Sequence, residues 1–232
     1  MLMLGTFARI AGCLGLILIA SVQATERVIV KDGDTLELGD ATFRLHGIDA
    51  PEFNQLCVDE KDQEWKCGLA ARDALVEWIG KRAVRCDDQG PDTKYPKRRI
   101  GLCFVEGMKM NEWMVRQGWA INFEPYAKRR YLAAQRDAET NRRGIWKGCF
   151  AAPGDIRHWK KSAPLMGSPC SPDARARIFR EDACSIKGNR RSHKYHLPGC
   201  PNYDSTTQNV QMFCSEDEAR AEGYTKAGNC PR

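Results

Sequence analysis

Between Val30 and Glu52 the chain reads VKDGDTLELGDATFRLHGIDAPE, a stretch that holds Asp32, Asp34, Arg44, Asp49 and Glu52. Asp32-Gly33 separates two runs of β-type residues and predicts a hairpin, because glycine tolerates the positive φ of a tight turn. A hairpin folds the residues beside its turn back toward the end of the next strand. Asp34 and Asp49 are therefore expected to converge. Two carboxylates with backbone carbonyls and water make a hard-oxygen site suited to Ca2+. Arg44 has little reason to join an acidic pocket unless an anion joins it too. A phosphate bridging the cation and the guanidinium supplies that reason. Glu52 lies just beyond Asp49 and is placed to act as a base toward water. The plain alternative is an ordinary Asp-Gly turn and a loop before a helix, and composition alone weighs the two evenly.

The elements that must position these residues are short. Val28–Val30, Thr35–Leu38, Thr42–Leu45, Ala83–Cys86 and Ile100–Val105 read as strands, and five strands in this space suggest a small barrel. Three helices are predicted at Gly68–Ile79, Met110–Gln117 and Tyr131–Arg143. Leu69, Leu75, Trp78 and Ile79 share a face of the first, and Met110, Trp113 and Met114 of the second; both faces read as core.

The order D-G-D-T (Asp32–Thr35), R-L-x-G-I-D-A-P-E (Arg44–Glu52) and Y-x-x-R-R-I-G (Tyr95–Gly101) resembles the staphylococcal nuclease family. Asn111–Ala120 and Arg143-Gly144-Ile145-Trp146 agree as well, so the likeness covers about residues 26–150. The resemblance implies an α+β fold, an OB-fold five-stranded β-barrel with three helices, and Ca2+-dependent hydrolysis of phosphodiester bonds. It implies Asp34 and Asp49 as metal carboxylates, with Ala50 as the backbone-carbonyl ligand where the family carries threonine. Arg44 and Arg98 take the place of the phosphate-contacting arginines and Glu52 that of the general base. Arg98 rather than Arg99 follows from its place two residues before Ile100-Gly101. Lys97 stands where the family has glycine before that arginine. The base-stacking tyrosines do not align cleanly: Tyr126 is a candidate, and Glu124 occupies a place where an aromatic is expected.

Residues 1–24 read as a secretory signal, with Arg9 before the apolar run Ile10–Ala20 and Val22-Gln23-Ala24 at the cleavage site. The uncharged run falls short of the ~20 residues needed to span a bilayer. Cleavage would take Cys13 and leave 10 of the 11 Cys, an even number that argues for disulfides in an oxidising compartment. Cys57–Cys67 and Cys86–Cys103 pairs are predicted, and Cys149 and Cys170 flank a Pro/Gly-rich stretch that they are placed to staple.

Four parts are thus expected: a signal peptide (1–24), a thermonuclease-like OB-fold domain (25–150), a linker (151–177) and a small Cys-rich module (178–232). In the last, Cys184, Cys200, Cys214 and Cys230 read as two disulfides in preference to a metal site of His193, His196, Cys200 and Cys214. The formal charge of +6 permits a polyanionic partner without demanding one. The clusters Lys94/Lys97/Arg98/Arg99 and Lys128-Arg129-Arg130 matter more than that total. The leading expectation is an exported, periplasmic or secreted, monomeric endonuclease acting on DNA and/or RNA, without stable membrane insertion after signal cleavage. A non-catalytic OB-fold nucleic-acid-binding protein and an envelope-binding protein acting through its tail are the alternatives. A decayed site should have lost one of Asp34, Arg44, Asp49, Glu52 or Arg98, and all are present.

Overall fold

The computed structural model describes residues 27–93, 95–180, 184–213 and 216–230. The expected signal segment, Lys94 and Cys214 lie outside the described residues. The chain opens with β1 (Val28–Val30), β2 (Thr35–Leu38), β3 (Ala41–Leu45), β4 (Ile48–Asp49), β5 (Leu56–Val58) and β6 (Glu64–Lys66), followed by α1 (Cys67–Ile79). Next come β7 (Val84–Pro91), β8 (Arg98–Val105), β9 (Met108–Lys109), α2 (Met110–Arg116), β10 (Ile121–Asn122), α3 (Glu124–Ala127) and α4 (Leu132–Thr140). The remainder holds β11 (Cys149–Ala151), α5 (Pro153–Arg157), β12 (Leu165–Gly167), α6 (Ala174–Ile178), β13 (Ile186–Asn189), β14 (Lys194–His196), β15 (Val210–Phe213), α7 (Glu216–Ala221) and β16 (Thr225–Lys226).

The fold is α+β, and the expected closed five-stranded barrel is not what forms. The main sheet is open and six-stranded, in the order β1-β2-β3-β8-β7 with β9 paired to β8. No ladder joins β1 to β7 among the described residues. The far half of β7 is ill-suited to a second partner. Asp88 and Gln89 are exposed there, the register to β8 shifts between Asp88 and Pro91, and Pro91 lacks an N–H. Three helices also undercount the fold, because short turns such as Glu124–Ala127 carry no periodic signal of their own.

One core lies between this sheet and the helices. Leu36, Phe43 and Leu45 face Leu75, Ile79, Met110 and Met114, all buried. Ala71, Leu75 and Ile79 repeat at helical spacing on α1, while the expected Leu69 is only half-buried. Trp78 and Trp113 stack at 4.3 Å between ring centroids. A second core joins Val58 to Ile156, Ala174, Ile178 and Met212. The stretch 151–177, expected as a linker, therefore carries α5, β12 and α6 and contributes buried side chains. Its Pro153 starts a helix rather than loosening the chain. The last part of the chain forms a small sheet, β15-β13-β14-β16.

Cys57–Cys67, Cys86–Cys103, Cys149–Cys170 and Cys200–Cys230 are disulfides, and Cys184 is disulfide-bonded as well. Cys86 and Cys103 sit opposite each other across β7 and β8. Replacing both by alanine is expected to cost about 2–4 kcal/mol, seen as a lower Tm in a thermal melt under non-reducing conditions. An unchanged Tm would remove the bridge from the list of stabilising features.

Candidate active site

The parallel pairing of β3 with β8 sets the two arginines. Thr42 faces Arg98 and Arg44 faces Ile100, so Arg44 and Arg98 share one face of the sheet, two residues out of step. Alternation turns Arg99 away, and it pairs with exposed Asp88 at 2.7 Å. The turn at Asp32–Asp34 is tied back by the Lys31 N–H to the Thr35 carbonyl and by the Leu45 N–H to the Asp34 carbonyl. Gly33 is not at positive φ. It is needed for space instead: a Cβ there would lie 2.7 Å from the Ala50 Cβ. That contact lets the turn press against the loop carrying Asp49 and Ala50. Gly68 does the same for Glu52, since a Cβ on it would lie 1.7 Å from the Glu52 carbonyl oxygen.

Asp34 and Asp49 meet as expected. Asp34 Oδ2 and Asp49 Oδ1 each lie 3.0 Å from the same atom, Arg44 Nη2. Asp34 also accepts from the Thr35 hydroxyl at 2.9 Å and the Ala50 N–H at 3.3 Å. Burial would raise the Asp34 pKa, but Arg44, Arg157 and Arg98 together hold it below the usual carboxylate value. Burial and the neighbouring Asp34 charge push Asp32 up to about 8. Burial disfavours a charged Arg44, yet Asp34 and Asp49 outweigh it and the guanidinium stays protonated.

Glu52 is buried, and chiefly for that reason its carboxyl titrates well above the ordinary glutamate value; Arg157 opposes the shift and Glu218 adds to it. Arg98 is buried too. Its Nε and Nη2 donate to Asp92 Oδ2 at 3.1 and 2.8 Å, and its Nη1 reaches Glu222 Oε1 at 3.4 Å. The Tyr95 ring lies under the Arg98 guanidinium, and its hydroxyl bonds to Glu222.

Asp34, Arg44, Ala50, Glu52 and Arg98 line one cleft of about 990 Å³, together with Lys97 and Arg157. Asp49 is buried against it, joined through Arg44 and Arg157. Tyr126 is exposed, pairs with Phe123 and does not line the cleft. Three contributors escaped the sequence reading. Arg157 sat in the supposed linker, where Pro153 at a helix start was the available signal. Glu218 sat in the tail's charged helix and Glu222 just after its end, a pattern that reads as a solvated face.

Asp34 and Asp49, both buried and meeting at Arg44 Nη2, are hard-oxygen donors of the kind a divalent cation takes. Among the described residues the only grouping of three His, Cys or acidic ligand atoms within mutual reach is His196, Cys200 and Cys230. Its two sulfurs are joined in a disulfide, which withdraws the thiolates a soft metal needs. The alternative of a metal site at His193, His196, Cys200 and Cys214 loses Cys200 in the same way.

A family profile described as staphylococcal nuclease homologue matches residues 42–148, and one described as ArfC matches residues 180–226. Succinoglycan biosynthesis protein ExoI of Rhizobium meliloti (strain 1021) is 34% identical over 134 residues, covering 55% of this chain and 69% of that protein. An uncharacterized endonuclease of Escherichia coli O157:H7 is 31% identical over 140 residues, covering 57% of this chain and 84% of its own length. The probable staphylococcal-like nuclease CAN3 of Oryza sativa subsp. japonica is 28% identical over 143 residues, and the match spans 61% of this chain and 35% of the rice protein. Arg44, Asp49 and Arg98 lie within residues 42–148, with Asp34 just before them, and the chain belongs to the staphylococcal nuclease homologue family.

Proposed function

We propose that the chain hydrolyses phosphodiester bonds of DNA, RNA or both in a Ca2+-dependent manner. The observation that carries this reading is the convergence of Asp34, Arg44, Glu52 and Arg98 on one cleft, with Asp49 joined to it through Arg44. Asp34 and Asp49, with the Ala50 carbonyl, would hold the cation. When bound, it would draw charge off a phosphate oxygen and add a fixed positive charge to the site. Arg44 and Arg98 bind the phosphate and gain strength as negative charge builds on its equatorial oxygens, so they favour the transition state over the ground state. A planar fork suits two such oxygens better than a lysine does. Glu52, lining the cleft beside the aspartates, takes the proton of the attacking water.

Export through the segment 1–24, to the periplasm or outside the cell, agrees with the disulfides found, and a monomer suffices because one chain carries the whole set. Among the described residues no helix is long and apolar enough to cross a membrane. The test is incubation of the protein with plasmid DNA and with RNA, in Ca2+ or in chelator. Ca2+-stimulated cleavage of at least one is expected. Failure to cut either polymer under both conditions would refute the reading.

A further inference from the structure

Arg157 comes from α5, beyond the end of the matched nuclease stretch at residue 148, yet its guanidinium enters the site. Its Nη2 donates to Asp49 Oδ1 at 2.9 Å and pairs with Glu52 Oε1. Only 12% of its side chain is exposed. Two further links fasten α5 and the end of β11 just before it to the same loop. The Gly154 N–H donates to Asp49 Oδ2 at 3.1 Å. Gln55 accepts from the Glu52 N–H at 3.1 Å and donates to the Ala151 carbonyl at 2.9 Å. Ile156 is buried in the second core, so α5 is held from behind as well.

We propose that Arg157 is a positioning residue for the nuclease reaction, holding the Glu52 carboxylate in a fixed relation to Asp49, so that the site is complete only once α5 has docked. The proposal rests on the nuclease reading given above. One nitrogen, Nη2, reaches both carboxylates, and the rigid guanidinium plane fixes where it lies, whereas an ammonium sits on a flexible stem. Without that contact, Glu52 keeps its backbone anchor through Gln55 and its side-chain hydrogen bond to Glu218, but loses the one that ties its carboxylate to Asp49. A base displaced by about 1 Å costs up to about a hundredfold in rate. The second consequence concerns charge. Asp49 Oδ1 is shared by Arg44 and Arg157. Removing one cation leaves the aspartates more negative and should favour a bound divalent ion.

The test compares wild type, Arg157→Gln and Arg157→Lys by steady-state kinetics on single-stranded DNA and RNA, by calorimetric Ca2+ binding and by thermal melting. Arg157→Gln is expected to lose about tenfold to a hundredfold in kcat with KM within about twofold. Its Ca2+ affinity should rise several-fold. Arg157→Lys, which keeps the buried charge and the fold, should recover part of kcat. Wild-type kcat in both variants would overturn the proposal. So would a raised KM at unchanged kcat, which would make Arg157 a substrate-binding group. Weakened Ca2+ binding together with a lowered Tm in both variants would overturn it in favour of a purely structural ion pair. If wild type cuts neither polymer, the nuclease reading itself falls. If wild type cuts and both variants match it, only the role of Arg157 falls.

Discussion

Arg98→Ala is expected to reduce turnover on DNA or RNA by about a hundredfold or more, the usual cost of losing one preorganised donor to a developing oxyanion. The geometry makes Arg98 a prepared donor. Asp92 takes Nε and Nη2, which fixes the plane of the guanidinium, and the Tyr95 ring supports it from one face. Nη1 is held only by the longer contact to Glu222, so it is the end left to meet a phosphate. Alanine would also strand buried Asp92 and Glu222 without their cation, which costs about 3–5 kcal/mol. Arg98→Lys avoids that loss and separates chemistry from folding: it keeps the charge, gives up the fork, and should still fall about tenfold or more in kcat. Arg99→Ala is the control. Its side chain is 39% exposed and pairs with a half-exposed Asp88, so turnover should stay within about twofold. Arg98→Lys and Arg98→Ala at near-normal turnover, or a larger loss at Arg99, would displace Arg98 from the site.

The contrast between these neighbours shows what was legible in the sequence. The resemblance implied Arg98 by its place two residues before Ile100-Gly101, and strand alternation in the structure turns Arg98 and Arg99 to opposite faces. The convergence of Asp34 with Asp49 was also legible, since a hairpin has few ways to fold back. The closure of the sheet was not. Strand count says how much sheet exists, but whether its edges meet depends on local breaks such as the register shift before Pro91. Arg157 and Glu222 were hidden for another reason. They lie 108 residues from Asp49 and 124 residues from Arg98 in sequence, and no local pattern reports a pairing at that range. The Pro/Gly-rich composition around α5 even pointed the wrong way, because proline at a helix start and proline in a linker look alike.

Asp49→Asn is expected to abolish Ca2+-stimulated cleavage to within about a hundredth of wild type and to weaken calorimetric Ca2+ binding, and Asp34→Asn to do the same. The two should differ in stability. Asp34 faces Arg44, whereas Asp49 Oδ1 is shared by Arg44 and Arg157 and its Oδ2 accepts from Gly154. Asparagine keeps the shape at either place but removes the charge. At position 49 it takes one carboxylate from each of two buried guanidiniums, Arg44 keeping Asp34 and Arg157 keeping Glu52. At position 34 one guanidinium is affected, and Asp49 still pairs with it. Asp34→Asn also frees Asp32 from the like charge that helps raise its pKa, which offsets part of the cost. The melting temperature of Asp49→Asn should therefore fall further than that of Asp34→Asn, while both lose the ion. A variant of either aspartate that keeps full Ca2+ stimulation would exclude it as a ligand. Equal stability losses would mean that the bridge from Asp49 to α5 carries less of the fold than its contacts imply.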